Sequence, residues 1–92
     1  MIGKMAISKA GHDKDEIYVV VGADDKYVYL CDGRLKPLGS PKKKSKKHIQ
    51  IIKNGIDREL EQCLKDGSTV YDEQIKRAIK EFHRNSKEEK DV

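Results

Sequence analysis

IYVVVGADDKYVYLCDG, residues 17–33, decides the fold. Ile17, Val19 and Val21 alternate with Tyr18 and Val20, and β-branched residues dominate, so this run reads as a strand. Residues 22–26, GADDK, are turn chemistry. Gly22 permits a positive φ, and Asp24 and Asp25 can bond their own backbone. In YVYLC, Val28 and Leu30 share one face and Tyr27, Tyr29 and Cys31 the other. Asp32-Gly33 then stands between YVYLC and RLKPL, a signal for a type I′ hairpin. Pro37 confines the returning strand to an edge or a short length.

Working outward, IGKMAIS (2–8) places Met5 and Ile7 on one face of a short strand, and KAGHDKDE is a polar turn. Downstream, PKKKSKK (41–47) is a lysine loop, and HIQII (48–52) is a last strand with Ile49 and Ile51 on one face. About five short strands joined mostly by tight turns predict a small antiparallel barrel, which buries few residues and leaves few edges.

The pattern changes after the break at Asn54-Gly55. Ile56, Leu60, Cys63 and Leu64 fall on a helical stripe, ended by Gly67 as a left-handed cap. A second stripe runs through Tyr71, Ile75, Ala78, Ile79 and Phe82, with Thr69 as N-cap and Asp72 as a weak capping-box acid. Asp72 and Glu73 near the start, and His83 and Arg84 near the end, suit the helix dipole. The expected organisation is a barrel over 1–54, two short helices packed on it over 55–85, and a flexible tail over 86–92. The fold class is mainly β with C-terminal helices.

Ninety-two residues suit one small domain that buries roughly 60–65% of its unfolded surface. The charged fraction, 39%, exceeds the hydrophobic fraction, 36%, which fits a small barrel or an exposed tail rather than a large core. Five of the six residues 42–47 are lysines, one charge more than the net +4, so the rest of the chain sums to −1. The basicity is local. Cys31 and Cys63 form no CxxC motif, which fits a reducing cytosol better than a disulfide framework. The longest apolar run, IYVVV, is too short to span a membrane or form a signal-peptide core. A soluble, cytoplasmic chain is expected.

The lysine run has three readings: a solvated connection, a nuclear import signal, or a grip on phosphates. Clustered like charges repel one another, and a polyanion relieves that repulsion while releasing counterions. Pro41 stiffens the start of the run and HIQII anchors its end, which favours phosphate binding. The candidate contacts are Lys42, Lys43, Lys44, Lys46, Lys47 and His48, with Arg34 and Ser45 adding hydrogen bonds and Lys36, which alternates with Leu35, directed out of the sheet towards the same surface. Tyr27 and Tyr29 can stack on unpaired bases or serve packing; Tyr18 and Tyr71 are expected to pack. No zinc-ligand spacing, nucleophile–base arrangement or paired-carboxylate pocket is evident, so neither a metal, a cofactor nor an enzyme is expected.

The segment from Ile2 to Gly33 resembles a KOW motif, the strand–turn–strand unit of SH3-like barrels in translation and transcription proteins. Gly11 would be its motif glycine, because a tight positive-φ turn excludes a Cβ. The resemblance continues through residues 2–82. Ala10-Gly11-His12-Asp13, Asp32-Gly33, Pro41-Lys42, Lys47-His48 and DEQIKRAI (72–79) have counterparts in small bacterial KOW-domain RNA-binding proteins, which are similar to archaeal and eukaryotic KOW-containing large-subunit ribosomal proteins. The resemblance implies an SH3-like barrel that binds RNA, ribosomal RNA above all, in a translation-associated role beside ribosomal proteins. A departure is the acidity after Gly11: Asp13, Asp15 and Glu16 repel phosphate and are given no contact with RNA. The alternatives are a KOW-type docking module of the transcription elongation machinery, an interaction module using the apolar helix face, and a general DNA binder. No membrane or small-molecule substrate is expected.

Overall fold

The computed structural model describes residues 1–52 and 57–90. Five strands, β1 (Met5–Ser8), β2 (Ile17–Ala23), β3 (Tyr27–Cys31), β4 (Lys42–Ser45) and β5 (Ile49–Ile52), precede α1 (Arg58–Asp66) and α2 (Asp72–Lys90). The strands form one antiparallel sheet in the order β4-β3-β2-β1-β5. A 3-10 turn, Lys46–His48, joins the two end strands of that order. The result is a small SH3-like antiparallel barrel followed by two helices. The expected break at Asn54-Gly55 and the stripe position Ile56 lie outside the described residues, as do the last two residues of the expected tail. From residue 86 to Lys90 the backbone continues α2, so this helix, at 19 residues, is not short.

Both faces of the central strands are covered, and for that reason IYVVV reads as an almost unbroken apolar run. Ala6, Tyr18, Val20, Val28 and Leu30 form the barrel interior, with Ile49 and Ile51 packed against them. On the reverse face, Met5, Ile17, Val19 and Cys31 meet Leu60 of α1 and Ile75 and Ala78 of α2. Burying each of the larger of these side chains contributes about 1.5–3 kcal/mol. The helices therefore complete a second core on the β1–β2 side of the sheet.

Close backbone approaches seat the helices. A Cβ on Gly3 would lie 2.6 Å from the Cα of Glu61 in α1. One on Gly33 would lie 2.4 Å from the carbonyl oxygen of Asp72 in α2, and Gly33 also has φ +75°. α1 starts on Asp57, whose carboxylate accepts the Leu60 N–H at 3.0 Å, and ends on Gly67 with φ +74°, the expected left-handed cap. α2 starts three residues beyond Thr69, the expected cap. The Tyr71 N–H instead donates to Gln74 Oε1 at 2.8 Å. Tyr71, expected to pack, is 63% exposed.

Three local expectations change. Gly22 does not take a positive φ; it follows the bulge at Val20/Gly22, with Tyr29 lying over the spot a Cβ would fill. Asp32-Gly33 does not make a two-residue hairpin. The Asp32 carboxylate accepts the N–H groups of Arg34 (2.8 Å) and Lys36 (2.9 Å), and Pro37 has none to offer. With the Leu38 N–H given to Asp72 as well, RLKPL directs these donors away from a ladder, and it folds as part of the 32–41 connection. The strand that pairs with β3 is the lysine run itself, in the register Leu30↔Lys42, Tyr29↔Lys43, Val28↔Lys44 and Tyr27↔Ser45.

Candidate nucleic-acid interface

Strand alternation divides the lysine run. Residues opposite one another in an antiparallel pair share a face. Lys42 and Lys44 therefore lie on the interior face with Leu30 and Val28, and Lys43 lies on the outer face with Tyr29. The inward pair brings both ammonium groups to one carboxylate.

That carboxylate belongs to Asp13. Its Oδ2 meets Lys42 Nζ at 2.7 Å, and its Oδ1 accepts from Lys44 Nζ. Ser8 Oγ donates to Oδ1 at 2.9 Å, and the Tyr18 hydroxyl to Oδ2 at 3.2 Å. Lys44 Nζ also donates to the Ala10 carbonyl oxygen at 2.6 Å. The Lys44 and Asp13 side chains are only 9% and 10% exposed. Burial alone would raise the Asp13 carboxyl. The Lys42 and Lys44 ammonium groups and the Ser8 hydroxyl outweigh it and hold Asp13 well below the usual carboxylate range. Burial, then the Asp13 charge, pushes the Tyr18 phenol up.

Gly11 occupies the expected place in this arrangement. It has φ +89°, and a Cβ there would sit 3.6 Å from Lys44 Nζ and 3.5 Å from Asp13 Oδ1. The turn from Lys9 to Glu16 closes through Asp15 N–H to the Ser8 carbonyl at 2.8 Å and Ser8 N–H to the Glu16 carbonyl at 3.0 Å. It thereby presents Asp13 to β4. Sequence reasoning missed Asp13 and Ser8 as the anchor of the lysine strand. The one available signal was an acid beside the turn glycine in a chain with an otherwise unbalanced lysine run.

The outward group is different. Among the described residues, Lys43, Lys46 and Lys47 make no ion pair. Lys43 Nζ lies 4.2 Å from the centroid of the Tyr27 ring, a cation–π contact, and Tyr27 is 37% exposed. Tyr29 donates its hydroxyl to Asp24 Oδ2 at 3.0 Å. Asp24 Oδ1 accepts the N–H groups of Lys26 (3.0 Å) and Tyr27 (2.8 Å), which fixes the β2–β3 turn. Those backbone donors, chiefly that of Tyr27, hold the Asp24 carboxyl below its ordinary value. The helices cover the β1–β2 part of this outer face and leave Tyr27 partly in the open.

The rest of the rim follows. Lys46 N–H donates to the Lys26 carbonyl at 2.9 Å, which brings the 3-10 turn beside the β2–β3 turn. Lys47 and His48 are exposed, and the His48 carbonyl accepts the Lys9 N–H at 2.7 Å. Lys43, Lys46, Lys47 and His48 thus stand on a strand and turn held by backbone bonds, with an aromatic ring beside them. Arg34 and Lys36 do not join them. They line a cleft of about 540 Å³ at the other end of β4, with Lys42, His12, Glu16 and Asp32.

The arrangement offers ammonium groups to phosphates and a ring face to a base. Among the described residues, no group of three or more His, Cys, Asp and Glu side chains could hold a metal ion. Among them also, no helix is long and apolar enough to cross a membrane. The Cys31 thiol is buried against Asp72 and pushed up to about 11, chiefly by burial, so it is a weak nucleophile. No protein-family model matches the chain, and no curated protein matches it.

Proposed function

We propose that this protein binds structured RNA through the outward half of its lysine run, and that its RNA is ribosomal. The carrying observation is the division of the run. Asp13 holds Lys42 and Lys44, while Lys43, Lys46 and Lys47, among the described residues, make no ion pair and stand on a rim beside Tyr27. Clustered cations leave self-repulsion in the fold, which Asp24 and Asp25 beside Lys43 offset only in part, and a phosphate backbone removes it. Phosphate contacts position a protein without reading sequence, so recognition follows RNA shape, aided by stacking on Tyr27.

The ribosomal assignment rests on the resemblance to KOW-domain proteins through Gly11, Lys47-His48 and the trailing helix. It carries with it a cytoplasmic, non-enzymatic, translation-associated role beside ribosomal proteins. Titrations of ribosomal RNA and of duplex DNA across a salt series test the reading. The expected result is tighter binding to ribosomal RNA, with affinity falling steeply as salt rises. Equal affinity for both would replace the reading with general nucleic-acid binding, and a flat salt dependence would remove it.

A further inference from the structure

The proposed rim uses only part of the positive charge on the surface. Helix α2 carries Lys76, Arg77, Lys80, His83 and Arg84, all exposed. At 3.6 residues per turn these five fall within about 120° of the helix circumference. They lie opposite the stripe of Ile75, Ala78, Ile79 and Phe82 that packs on the sheet. Among the described residues, Lys76, Arg77 and Lys80 make no ion pair. Glu73 shares this side, but it stands in the first turn, where it complements the helix dipole.

The basic face continues onto the barrel. Gly33 sits directly on the first turn of α2: a Cβ there would lie 3.0 Å from Lys76 Cγ. The Leu38 N–H donates to Asp72 Oδ1 at 2.8 Å, so the 32–38 loop is tied to the helix at two points. That loop carries Arg34 and Lys36. Its own acid, Asp32, is engaged by the N–H groups of Arg34 and Lys36. A second surface, basic along Lys76, Arg77 and Lys80, therefore adjoins the loop of Arg34 and Lys36, whose cleft also holds Asp13, Glu16 and Asp32. It lies at the Lys42 end of β4, and the Lys46–His48 turn lies at the Ser45 end. Four strand residues separate the two ends by about 10 Å.

We propose that Lys76, Arg77 and Lys80, extended by Arg34 and Lys36, form a second phosphate-binding surface that engages the second backbone of a double-helical RNA segment. The proposal rests on the RNA-binding reading above and deepens it. Two basic surfaces at the two ends of one strand match a ligand with two phosphate strands. A single strand can satisfy the rim alone. Double-helical RNA is recognised mostly through its shape and its backbone, which this arrangement suits.

The test compares three proteins on an RNA hairpin and on a single-stranded RNA of equal length: the native chain, K76Q/R77Q/K80Q and K43Q/K46Q/K47Q. Glutamine keeps helix propensity at these exposed positions, and circular dichroism verifies the helix content. The helix variant is expected to bind the hairpin at least tenfold more weakly. Its log–log salt slope should be smaller by about two, and its affinity for the single strand should change less than twofold. K76R/K80R, which keeps the charge, should bind the hairpin as the native chain does. An unchanged hairpin affinity in the helix variant, or an equal loss on both RNAs, would overturn the second surface. If the rim variant alone loses affinity, only this inference falls. If the native chain binds neither RNA, the RNA-binding reading falls and takes this inference with it.

Discussion

The Asp13 carboxylate and the Lys44 ammonium group are in direct contact, both nearly buried. This pair turns one lysine of a basic run into a structural residue, and Lys42 joins it on the other carboxylate oxygen. Half of β4 thus serves the fold and half faces outward.

Removing Asp13 should be costly. Asp13→Ala leaves a buried ammonium with only the Ala10 carbonyl oxygen, a change that typically destabilises by about 3–5 kcal/mol. Denaturant unfolding should place the loss near the lower end of that range, because Lys42 can turn to solvent.

The same carboxylate makes stability acid-dependent. Its folded pKa lies below the unfolded value of about 3.9, so its contribution is complete above that value. The contribution is lost as pH falls through the unfolded value towards the folded one. Native stability should therefore decline below about pH 5. Asp13→Asn, less stable at neutral pH, should show a shallower decline, and thermal melts at pH 3 and pH 7 measure the difference.

Lys43 and Lys44 should separate function from stability. Lys44→Met should lower stability by about 1–3 kcal/mol by leaving acceptors unmade, and should leave the salt slope of RNA binding unchanged. Lys43→Gln should keep stability within about 0.5 kcal/mol and lower that slope by up to about one.

Tyr27 should matter through its ring. Replacement by Ala is expected to weaken binding to RNA with an unpaired loop by about 1–3 kcal/mol, while Phe retains most of it. Fluorescence titration of a loop-containing RNA measures both.

Gly33→Ala should loosen α2. The new Cβ meets the Asp72 carbonyl oxygen at 2.4 Å, and the backbone sits at φ +75°. A loss of about 2–4 kcal/mol, in the range of severe steric changes, is expected in thermal unfolding.

How much of this was legible depended on what carried the pattern. β2 and β3 were readable because alternating β-branched and aromatic residues write the strand period in apolar side chains. The Gly67 cap and the core positions Leu60, Ile75 and Ala78 were readable for similar local reasons. β4 was not, because its inward residues are lysines. The period of two is present at Lys42 and Lys44, but a hydropathy pattern cannot distinguish them from Lys43. Only the fold brings Asp13, some thirty residues away, to the two lysines that face inward. The Asp32-Gly33 signal misled for a related reason. The Asp32 carboxylate captured the N–H groups that a hairpin would have spent on the ladder. The basic stripe of α2 was hidden by composition: the acids of the back third balance its charge in sequence, and the helix separates them in space.

The most direct test of the central claim is the salt dependence of binding to ribosomal RNA for the native chain and for K43Q/K46Q/K47Q. The log–log slope is expected to be smaller by about two to three in the variant, with folding unchanged. Identical slopes and affinities would contradict it.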